Sequence, residues 1–332
     1  MNNPESTRVI RVLSNKAWLD GRTVGRSRIA ATLLPLHGSL PRRVLNALSL
    51  WKYDAAFVDC DASWLLLLCA AKTLLPFTRC RILSVDIILT RPTDARSRAR
   101  FIVRRWLLRK VDRFVVFFRD TSGLERVYRI PRDRFRYVPF KPNTLADLRR
   151  IVPNDDGYFL ACGRSNRDYS TLFEAVEGLD AKCVVLAPWN EAEQHGTVVP
   201  GVPTPPNVEL ASDDGTPQSW NDWIARSTAV ILPIEPGMLS PSGIGTYLVA
   251  MALGKAVIIT EGPATNRMLD DSCAVLVPPS DSVALRSAIQ RALGDPEWRA
   301  GIARRGQEYA LSLGGDDRLQ LDLTNELAAM VE

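Results

Sequence analysis

The chain has 332 residues, of which 46% are hydrophobic and 24% charged, a composition typical of a globular protein with room for two domains. Its formal net charge of +5 is modest for this length, and no recognised binding motif accompanies the basic residues, so a nucleic-acid partner is not indicated. The six cysteines have no CxxC spacing, which argues against a zinc site or a disulfide framework and favours the cytoplasm.

The N-terminal stretch MNNPESTRVIRVLSN lacks the charged, apolar and small-residue order of a secretory signal. The most apolar stretch, residues 62–75, contains Lys72 and is shorter than the roughly twenty residues that cross a bilayer. We therefore expect a buried helix in this stretch and a cytoplasmic protein.

Short apolar runs alternate with helix-length segments through the first half of the chain. Such alternation predicts parallel strands joined by helical crossovers, and hence one doubly wound sheet over residues 1–142. The predicted strands are residues 9–13, 55–59, 81–85, 113–117 and 135–138, and the predicted helices are residues 42–51, 63–75, 96–110 and 121–128.

Residues 139–156 hold three prolines and no sustained period, which predicts a linker at residues 143–156. The alternation then restarts and predicts a second doubly wound domain over residues 157–314. The predicted strands are residues 158–162, 183–187, 208–210, 229–232, 256–260 and 274–277, and the predicted helices are residues 168–178, 218–226, 245–253, 282–293, 297–311 and 318–330. We expect the last helix, within residues 315–332, to pack back on the first domain.

Two such sheets in tandem are expected to place the C-terminal ends of their strands around a shared cleft, where open α/β sheets bind ligands. The first loop of interest follows the strand at 158–162 and contains Gly163, Arg164, Ser165 and Arg167. Glycine lets the backbone approach a ligand, and the arginines could pair with phosphate oxygens. A polar turn with solvated arginines fits the same residues.

The second loop precedes the predicted helix at 245–253 and contains Ser240, Ser242 and Gly243, with Thr246 in the first turn. Small residues there leave the backbone N–H groups at the helix start open to a diphosphate, which the helix dipole favours. An ordinary helix cap would look similar. Glu235 could accept hydrogen bonds from a ribose or sugar hydroxyl, or be a surface carboxylate.

The third loop contains Asp86, which follows an apolar strand and has apolar neighbours in Val85, Ile87 and Ile88. Partial desolvation would raise the pKa of this carboxyl and suit it to take a proton from a hydroxyl nucleophile. A helix cap or a structural ion pair is the alternative.

The predicted helix at 96–110 carries a basic stripe, with Arg98, Arg105 and Arg109 roughly opposite Val103 and Leu107. Such a stripe predicts contact with an anionic membrane surface or with a lipid-linked acceptor. The alternative is that the apolar side is core and the arginines are solvated.

Four segments of the second half carry a further pattern: YFLACGRSNRDYSTLFEAV, WIARSTAVILPI, VAMALGKAVIIT and AVLVPPSDSVALRSAIQRAL. They resemble the donor-binding domain of GT-B glycosyltransferases, in particular the large retaining group of family 4. The first half resembles the acceptor domain of that fold in layout. The resemblance implies an α/β GT-B fold, with two Rossmann-like domains facing a cleft. It also implies a nucleotide-sugar donor, a glycan or lipid-linked acceptor, no cofactor and no metal, in bacterial polysaccharide or glycoconjugate assembly.

Carried over by position, the resemblance puts Gly163 and Arg164 at the donor phosphates and the backbone from Ser242 onward at the diphosphate or sugar. The family's two glutamates are replaced by Pro241 and Val249. This departure leads us to predict an inverting transfer with Asp86 as the base. A non-catalytic nucleotide-sugar-binding protein and a sugar-nucleotide epimerase of the same fold remain the alternatives, and the nucleotide is left open.

Overall fold

The computed structural model describes residues 8–35, 39–92, 94–163, 165–186 and 203–332. The described residues divide into two compact units. Unit 1 lies within Met1–Phe117, Thr121–Val138 and Leu319–Glu332, and unit 2 within Phe118–Asp120 and Pro139–Arg318.

Unit 1 is built on a seven-stranded sheet in the order β2-β3-β1-β4-β5-β6-β7. Its strands are β1 (Arg8–Ser14), β2 (Thr23–Val24), β3 (Ser27–Leu33), β4 (Ala55–Asp59), β5 (Arg81–Val85), β6 (Arg113–Val116) and β7 (Phe135–Tyr137). Its helices before the last one are α1 (Leu40–Leu48), α2 (Ala62–Leu74), α3 (Ala95–Leu107) and α4 (Ser122–Tyr128). All strand pairs are parallel except the β2–β3 hairpin.

The β2–β3 hairpin is a feature that the sequence analysis missed. Several β3 side chains are exposed, and three arginines (Arg22, Arg26 and Arg28) lie in or beside the hairpin. A strand near the edge of a sheet does not need the continuous apolar run that marks central strands such as β4 and β5. The predicted buried helix at 62–75 is α2, with Trp64, Leu65 and Leu68 buried.

Unit 2 contains a six-stranded, wholly parallel sheet in the order β10-β9-β8-β11-β12-β13. Its strands are β8 (Tyr158–Cys162), β9 (Lys182–Leu186), β10 (Val208–Ala211), β11 (Ala229–Leu232), β12 (Ala256–Thr260) and β13 (Val275–Val277). Its helices are α5 (Leu145–Leu148), α6 (Tyr169–Val176), α7 (Pro217–Arg226), α8 (Ile244–Ala252), α9 (Ser282–Gly294) and α10 (Pro296–Ser312). The last helix, α11 (Asp316–Val331), begins in unit 2, and its residues from Leu319 on belong to unit 1.

The strand order of unit 2 reverses between β8 and β11. The chain runs outward from β8 to β9 and β10, and then returns to β11 on the other side of β8, where Ala229 pairs with Phe159. At such a switch point the connections leave in opposite directions and open a crevice at the carboxyl ends of the two strands. The loops after β8 and β11 are the first two loops predicted to bind ligand.

The predicted α/β class with doubly wound sheets is confirmed, because every described strand pair apart from β2–β3 is parallel. Each sheet has its own core around its central strands, where Leu83 of β5 and Ile258 of β12 are completely buried. Within the described ranges, no helix is both long and apolar enough to cross a lipid bilayer.

Candidate functional site

A cavity of about 420 Å³ lies in unit 2 at the switch point. Its walls come from the loop after β8, the first turns of α7, and the loop and first turns of α8. The lining residues are Asn143, Thr144, Gly163, Ser165, Arg167, Gly215, Thr216, Pro217, Trp220, Asn221, Ser242, Gly243, Gly245, Thr246 and Val249. Six of the predicted donor-site residues are therefore brought together. Glu235 and Ser240 do not line the cavity, and Arg164 lies outside the described residues.

Among the described residues that line this cavity, Arg167 is the one cation, and it is only 1% exposed. Nε donates to the carbonyl oxygen of Cys162 (2.9 Å), and Nη1 donates to the carbonyl oxygen of Ser165 (2.7 Å) and to Oγ of Ser242 (3.0 Å). Burial lowers the pKa of Arg167, but a guanidinium keeps its proton in proteins. Among the described residues no carboxylate forms an ion pair with it, so an anion in the cavity would supply the missing counter-charge.

Backbone hydrogen bonds between the loops after β8 and β11 hold Arg167 in place. Arg167 and Ile234 form an isolated antiparallel bridge, the N–H of Asp168 donates to the carbonyl of Pro233 (3.0 Å), and the N–H of Glu235 donates to that of Asn166 (3.1 Å). These bonds fix the backbone at Arg167, and the guanidinium is fixed by its own hydrogen bonds to Cys162, Ser165 and Ser242. Its position is therefore set before any ligand binds.

The N-terminus of α8 faces the same cavity and has no side-chain cap. Its N-cap is Gly243 in the left-handed region (φ 93°), whereas α6, α7, α9 and α10 are each capped by an Asp or Thr side chain. The first N–H groups of α8 thus have no side-chain acceptor, and Gly245 and Thr246 in this turn line the cavity. An uncapped helix start beside a buried arginine is an anion-binding arrangement.

Ser242 holds the loop together rather than presenting a free hydroxyl. Its Oγ donates to the carbonyl of Ser165 (2.7 Å) and accepts from Arg167 (3.0 Å). The serine thus links the loop before α8 to the loop after β8.

Asp86 lies in unit 1, directly after β5, and is only partly exposed. Its φ is 46°, and its N–H donates to the carbonyl of Val115 (3.0 Å). The Cys60 thiol lies 3.5 Å from Oδ2. Burial raises the pKa of Asp86 to about 6; the Cys60 hydrogen bond opposes this shift, and the charge of Asp59 adds to it.

Neither structural alternative accounts for Asp86 within the described residues. No helix begins directly after it, since α3 is capped by Asp94, and no cation forms an ion pair with its carboxyl. Lys16 forms its ion pair with Asp59 (3.1 Å). A partly protonated carboxyl near neutral pH is suited to exchange a proton with a hydroxyl group.

No protein-family model matches the sequence, and no curated protein is significantly similar to it. Solved structures do resemble it. HepE of Anabaena in complex with UDP superposes with a TM-score of 0.66 at 13% identity over 97% of this chain and 100% of that chain. Sucrose-phosphate synthase of Thermosynechococcus elongatus superposes with a TM-score of 0.60 at 15% identity over 97% and 88%. The chain has the GT-B fold.

A trehalose-phosphate synthase of Burkholderia vietnamiensis has the same fold, with a TM-score of 0.59 at 12% identity over 98% of this chain and 99% of that chain. At identities this low the likeness concerns the GT-B fold alone, and the roles of individual residues rest on the geometry of this chain. Across the described part of the chain, no group of three His, Cys, Asp or Glu side chains is arranged to hold a metal ion.

Within this GT-B chain, Val249 lines the cavity and is 6% exposed, so an apolar wall stands where the resemblance implies a glutamate. Glu235 is half-buried, and its pKa is raised by burial and by the charge of Asp168. Glu235 does not line the cavity. Pro241 does not line the cavity either.

The helix α3 of the GT-B chain has no buried residue. Ile102 (67% exposed), Val103 (57%) and Trp106 (50%) share one face, so the interpretation that its apolar side is core does not hold for them. Arg98 and Arg109 are exposed and Arg105 is half-buried. At 100° per residue Arg98 and Arg105 border the face of Ile102 and Trp106, and Arg109 lies in the 3-10 turn Leu108–Lys110 that follows α3. The pKa of Arg105 is lowered by desolvation and then by the charges of Arg129 and Arg109.

Gly163 provides a direct test of how the cavity holds Arg167. A Cβ at this position would lie 1.8 Å from Nη2 of Arg167, and the φ of +126° disfavours any other residue. We expect Gly163→Ala to lower the free energy of unfolding by about 3 kcal/mol, through backbone strain and overpacking. The measurement is denaturant unfolding, with Gly294→Ala as the control because a Cβ there meets nothing within 4 Å. Equal stability of the two variants would contradict the described geometry.

Proposed function

We propose that the chain is a glycosyltransferase that moves a sugar from a nucleotide-sugar donor to a hydroxyl of a glycan or lipid-linked acceptor, without a metal ion. The observation that carries the proposal is the buried guanidinium of Arg167 beside the uncapped start of α8 in one cavity. A guanidinium and the free backbone N–H groups of a helix start are the two kinds of donor that commonly bind the oxygens of a diphosphate. The GT-B structures of HepE that contain UDP and UDP-glucose support the same reading of the fold.

The proposed chemistry assigns the leaving group to unit 2. The bond between the sugar's anomeric carbon and the diphosphate oxygen breaks, and its electron pair leaves with the diphosphate. Arg167 and the N–H groups at the start of α8 stabilise the negative charge that develops there. Stabilisation of developing charge by fixed hydrogen-bond donors is usually the largest single contribution to enzymatic rate enhancement. Because these groups supply positive charge, the proposal does not require a metal ion.

The proposed base is Asp86 in unit 1. The acceptor oxygen forms the new bond to the anomeric carbon as its proton passes to the Asp86 carboxylate. Attack from the face opposite the leaving group gives inversion. The carboxyl with a pKa of about 6 is ionised above that pH and still basic enough to take a proton.

The experiment that tests the donor site is a thermal-shift and calorimetric panel of UDP-, GDP- and dTDP-sugars. A ligand that binds only the folded chain raises its stability by RT ln(1 + [L]/Kd), so a binder at 100 times its Kd adds about 2.7 kcal/mol. We expect one nucleotide class to stabilise the chain clearly. A flat response to every nucleotide sugar would overturn the proposal.

Product analysis with the tightest donor separates the alternatives. A transferase releases the free nucleoside diphosphate only in step with a glycosylated acceptor or with slow hydrolysis. A sugar-nucleotide epimerase converts the donor alone into a stereoisomer. A non-catalytic binding protein returns the donor unchanged with every acceptor tried. Inversion is read from the anomeric configuration of the product.

We further propose that α3 rests on an anionic membrane, at the inner face of a cell where lipid-linked acceptors of polysaccharide or glycoconjugate assembly would be met. Its exposed apolar face of Ile102, Val103 and Trp106 is bordered by the stripe of Arg98, Arg105 and Arg109. Trp and branched apolar residues beside arginines are the composition of helices that lie in the lipid interface. Each cation near an anionic surface adds about 1 kcal/mol.

We expect Ile102→Ser together with Trp106→Ser to reduce binding to phosphatidylglycerol-containing vesicles at least tenfold, because the apolar contact is lost. Co-sedimentation at low and high salt measures this, and salt should weaken binding of the unaltered chain. Val283→Ser is the control, since Val283 is equally exposed (74%) in α9 of unit 2. Failure of the unaltered chain to bind anionic vesicles at low salt would end the membrane proposal.

A further inference from the structure

Asn221 is a buried polar residue of the cavity wall. Among the described residues, it is the one such residue whose side chain has no hydrogen-bond partner. It lies in the middle of α7, is only 5% exposed, and lines the cavity. Within the described part of the chain, no side-chain or backbone group forms a hydrogen bond with its amide. Buried amides are nearly always paired, and asparagine is a poor helix former, so neither local propensity nor packing accounts for it.

Asn207 shows what a structural asparagine does in the same unit. Its Nδ2 donates to the carbonyl oxygens of Val176 (2.8 Å), Leu179 (3.2 Å) and Ala181 (3.0 Å), and so fastens the end of α6 to the start of β9. Asn221 makes no comparable contact. Its unpaired amide donors and carbonyl acceptor are therefore available to a molecule in the cavity.

Trp220 precedes Asn221 and lines the same cavity, half-buried. An aromatic face next to an amide is the combination that recognises a nucleobase, since the base stacks on the ring and its edge needs one donor and one acceptor. The anion-binding residues, Arg167 and the start of α8, occupy other walls of the cavity. A phosphate, which accepts hydrogen bonds only, would leave the oxygen of the amide unused.

We propose that Asn221 hydrogen bonds to the edge of the donor's nucleobase and that Trp220 stacks on its face, which makes α7 the element that selects the nucleotide. This inference rests on the proposed function, because it presupposes that the diphosphate of a nucleotide lies at Arg167 and α8. It assigns to α7 a role that no local motif of the sequence indicates. The cavity volume of about 420 Å³ lies in the range of sites that enclose small molecules.

The test is calorimetry with inorganic pyrophosphate, with UDP, GDP, dTDP, ADP and CDP, and with the matching nucleotide sugar. We expect Asn221→Leu and Trp220→Leu each to weaken the best nucleoside diphosphate at least tenfold, and to leave pyrophosphate within twofold of the unaltered chain. Asn221→Leu should also leave the midpoint of thermal unfolding unchanged or raise it, because it removes an unpaired buried amide.

Three results would overturn the inference while leaving the proposed function standing. In the first, the unaltered chain binds a nucleoside diphosphate and Asn221→Leu binds it equally well. In the second, the variants lose pyrophosphate as strongly as the nucleotide, which would mean that α7 shapes the anion site. In the third, the loss occurs with the nucleotide sugar and not with the nucleoside diphosphate, which would place Asn221 against the sugar. If the unaltered chain binds no nucleotide at all, the proposed function falls as well.

Discussion

Arg167→Gln is expected to lower the affinity for nucleoside diphosphates about 100-fold or more. The guanidinium is held by three hydrogen bonds to Cys162, Ser165 and Ser242 and has no carboxylate partner in the described residues. A hydrogen bond to a charged group contributes about 1.5–3 kcal/mol, and 100-fold corresponds to about 2.7 kcal/mol, so loss of the paired charge alone reaches that size. Glutamine retains a donor for the loop carbonyls and removes the cation.

Calorimetry with UDP and with pyrophosphate measures this loss of affinity, since both ligands contain a diphosphate group. Arg304→Gln is the matched control, because Arg304 is an exposed cation of the same unit. Arg167→Lys should give an intermediate loss, as lysine keeps the charge and loses the planar fork. An Arg167→Gln chain that is folded by circular dichroism and binds pyrophosphate as tightly as the control would refute the anion site.

Asp86→Asn is expected to abolish transfer, with at least a 1,000-fold loss of kcat, and to leave nucleotide binding within twofold. The general base is removed, and base catalysis typically contributes 10²–10⁴-fold. Asparagine keeps the shape of the side chain and tolerates the positive φ of 46° better than other residues do. The nucleotide cavity lies in unit 2 and does not include this position.

The same variant should be more stable than the unaltered chain at pH 8. The folded-state pKa of Asp86 is raised from 3.8 to about 6, so the folded state binds more protons than the unfolded state between these values. Stability therefore falls as pH rises from about 4 to about 6, and the cost stays constant above that range. Two pKa units correspond to about 3 kcal/mol, which is the upper size of the gain on removing the charge.

Denaturant unfolding at pH 4 and pH 8, together with pH–rate profiles, checks both halves of the prediction. The gain in stability should be present at pH 8 and absent at pH 4, and kcat/KM of the unaltered chain should rise with pH through about 6. Asp133→Asn is the control, since Asp133 is an exposed carboxylate of unit 1. An Asp86→Asn chain that transfers sugar at the rate of this control would rule out Asp86 as the base.

The strands were predictable from sequence where they coincide with short runs rich in apolar residues. β4, β5, β8, β11 and β12 have the bounds predicted for them, because central parallel strands are covered on both faces and are therefore rich in apolar residues. The β2–β3 hairpin was not predictable, as its exposed residues remove that pattern. The loops after β8 and β11 could be placed because ligands of open α/β sheets bind at the carboxyl ends of the strands. The reversal of strand order between β8 and β11 was not predicted, since the alternation of strands and helices does not fix the order of the strands in a sheet.

The cavity was only half predictable from the sequence. Gly163 and Arg167 lie in the loop after β8, and Gly243 lies in the loop before α8. A glycine near an arginine after a strand is a local sequence pattern that predicts an anion-binding loop. Asn221 and Trp220 carry no such signal, because a polar residue on a helix is ordinarily solvated. Their place in the cavity wall appears only when α7 packs against α8. The burial of Arg167 was likewise invisible, since it depends on backbone pairing between loops distant in sequence.

The helix α11 belongs to unit 1 but follows unit 2 in the sequence, which affects the order in which the two units can fold. Leu323, Leu327 and Met330 of α11 are buried in unit 1, and Arg113 Nη1 donates to the carbonyl of Glu326 (2.7 Å) and pairs with its carboxylate (3.0 Å). The residues of α11 that complete unit 1 are thus synthesised after all of unit 2. Domains usually fold as units in the order of synthesis. Here the nearly contiguous unit 2 can finish first, and unit 1 is complete only after α11 has been synthesised.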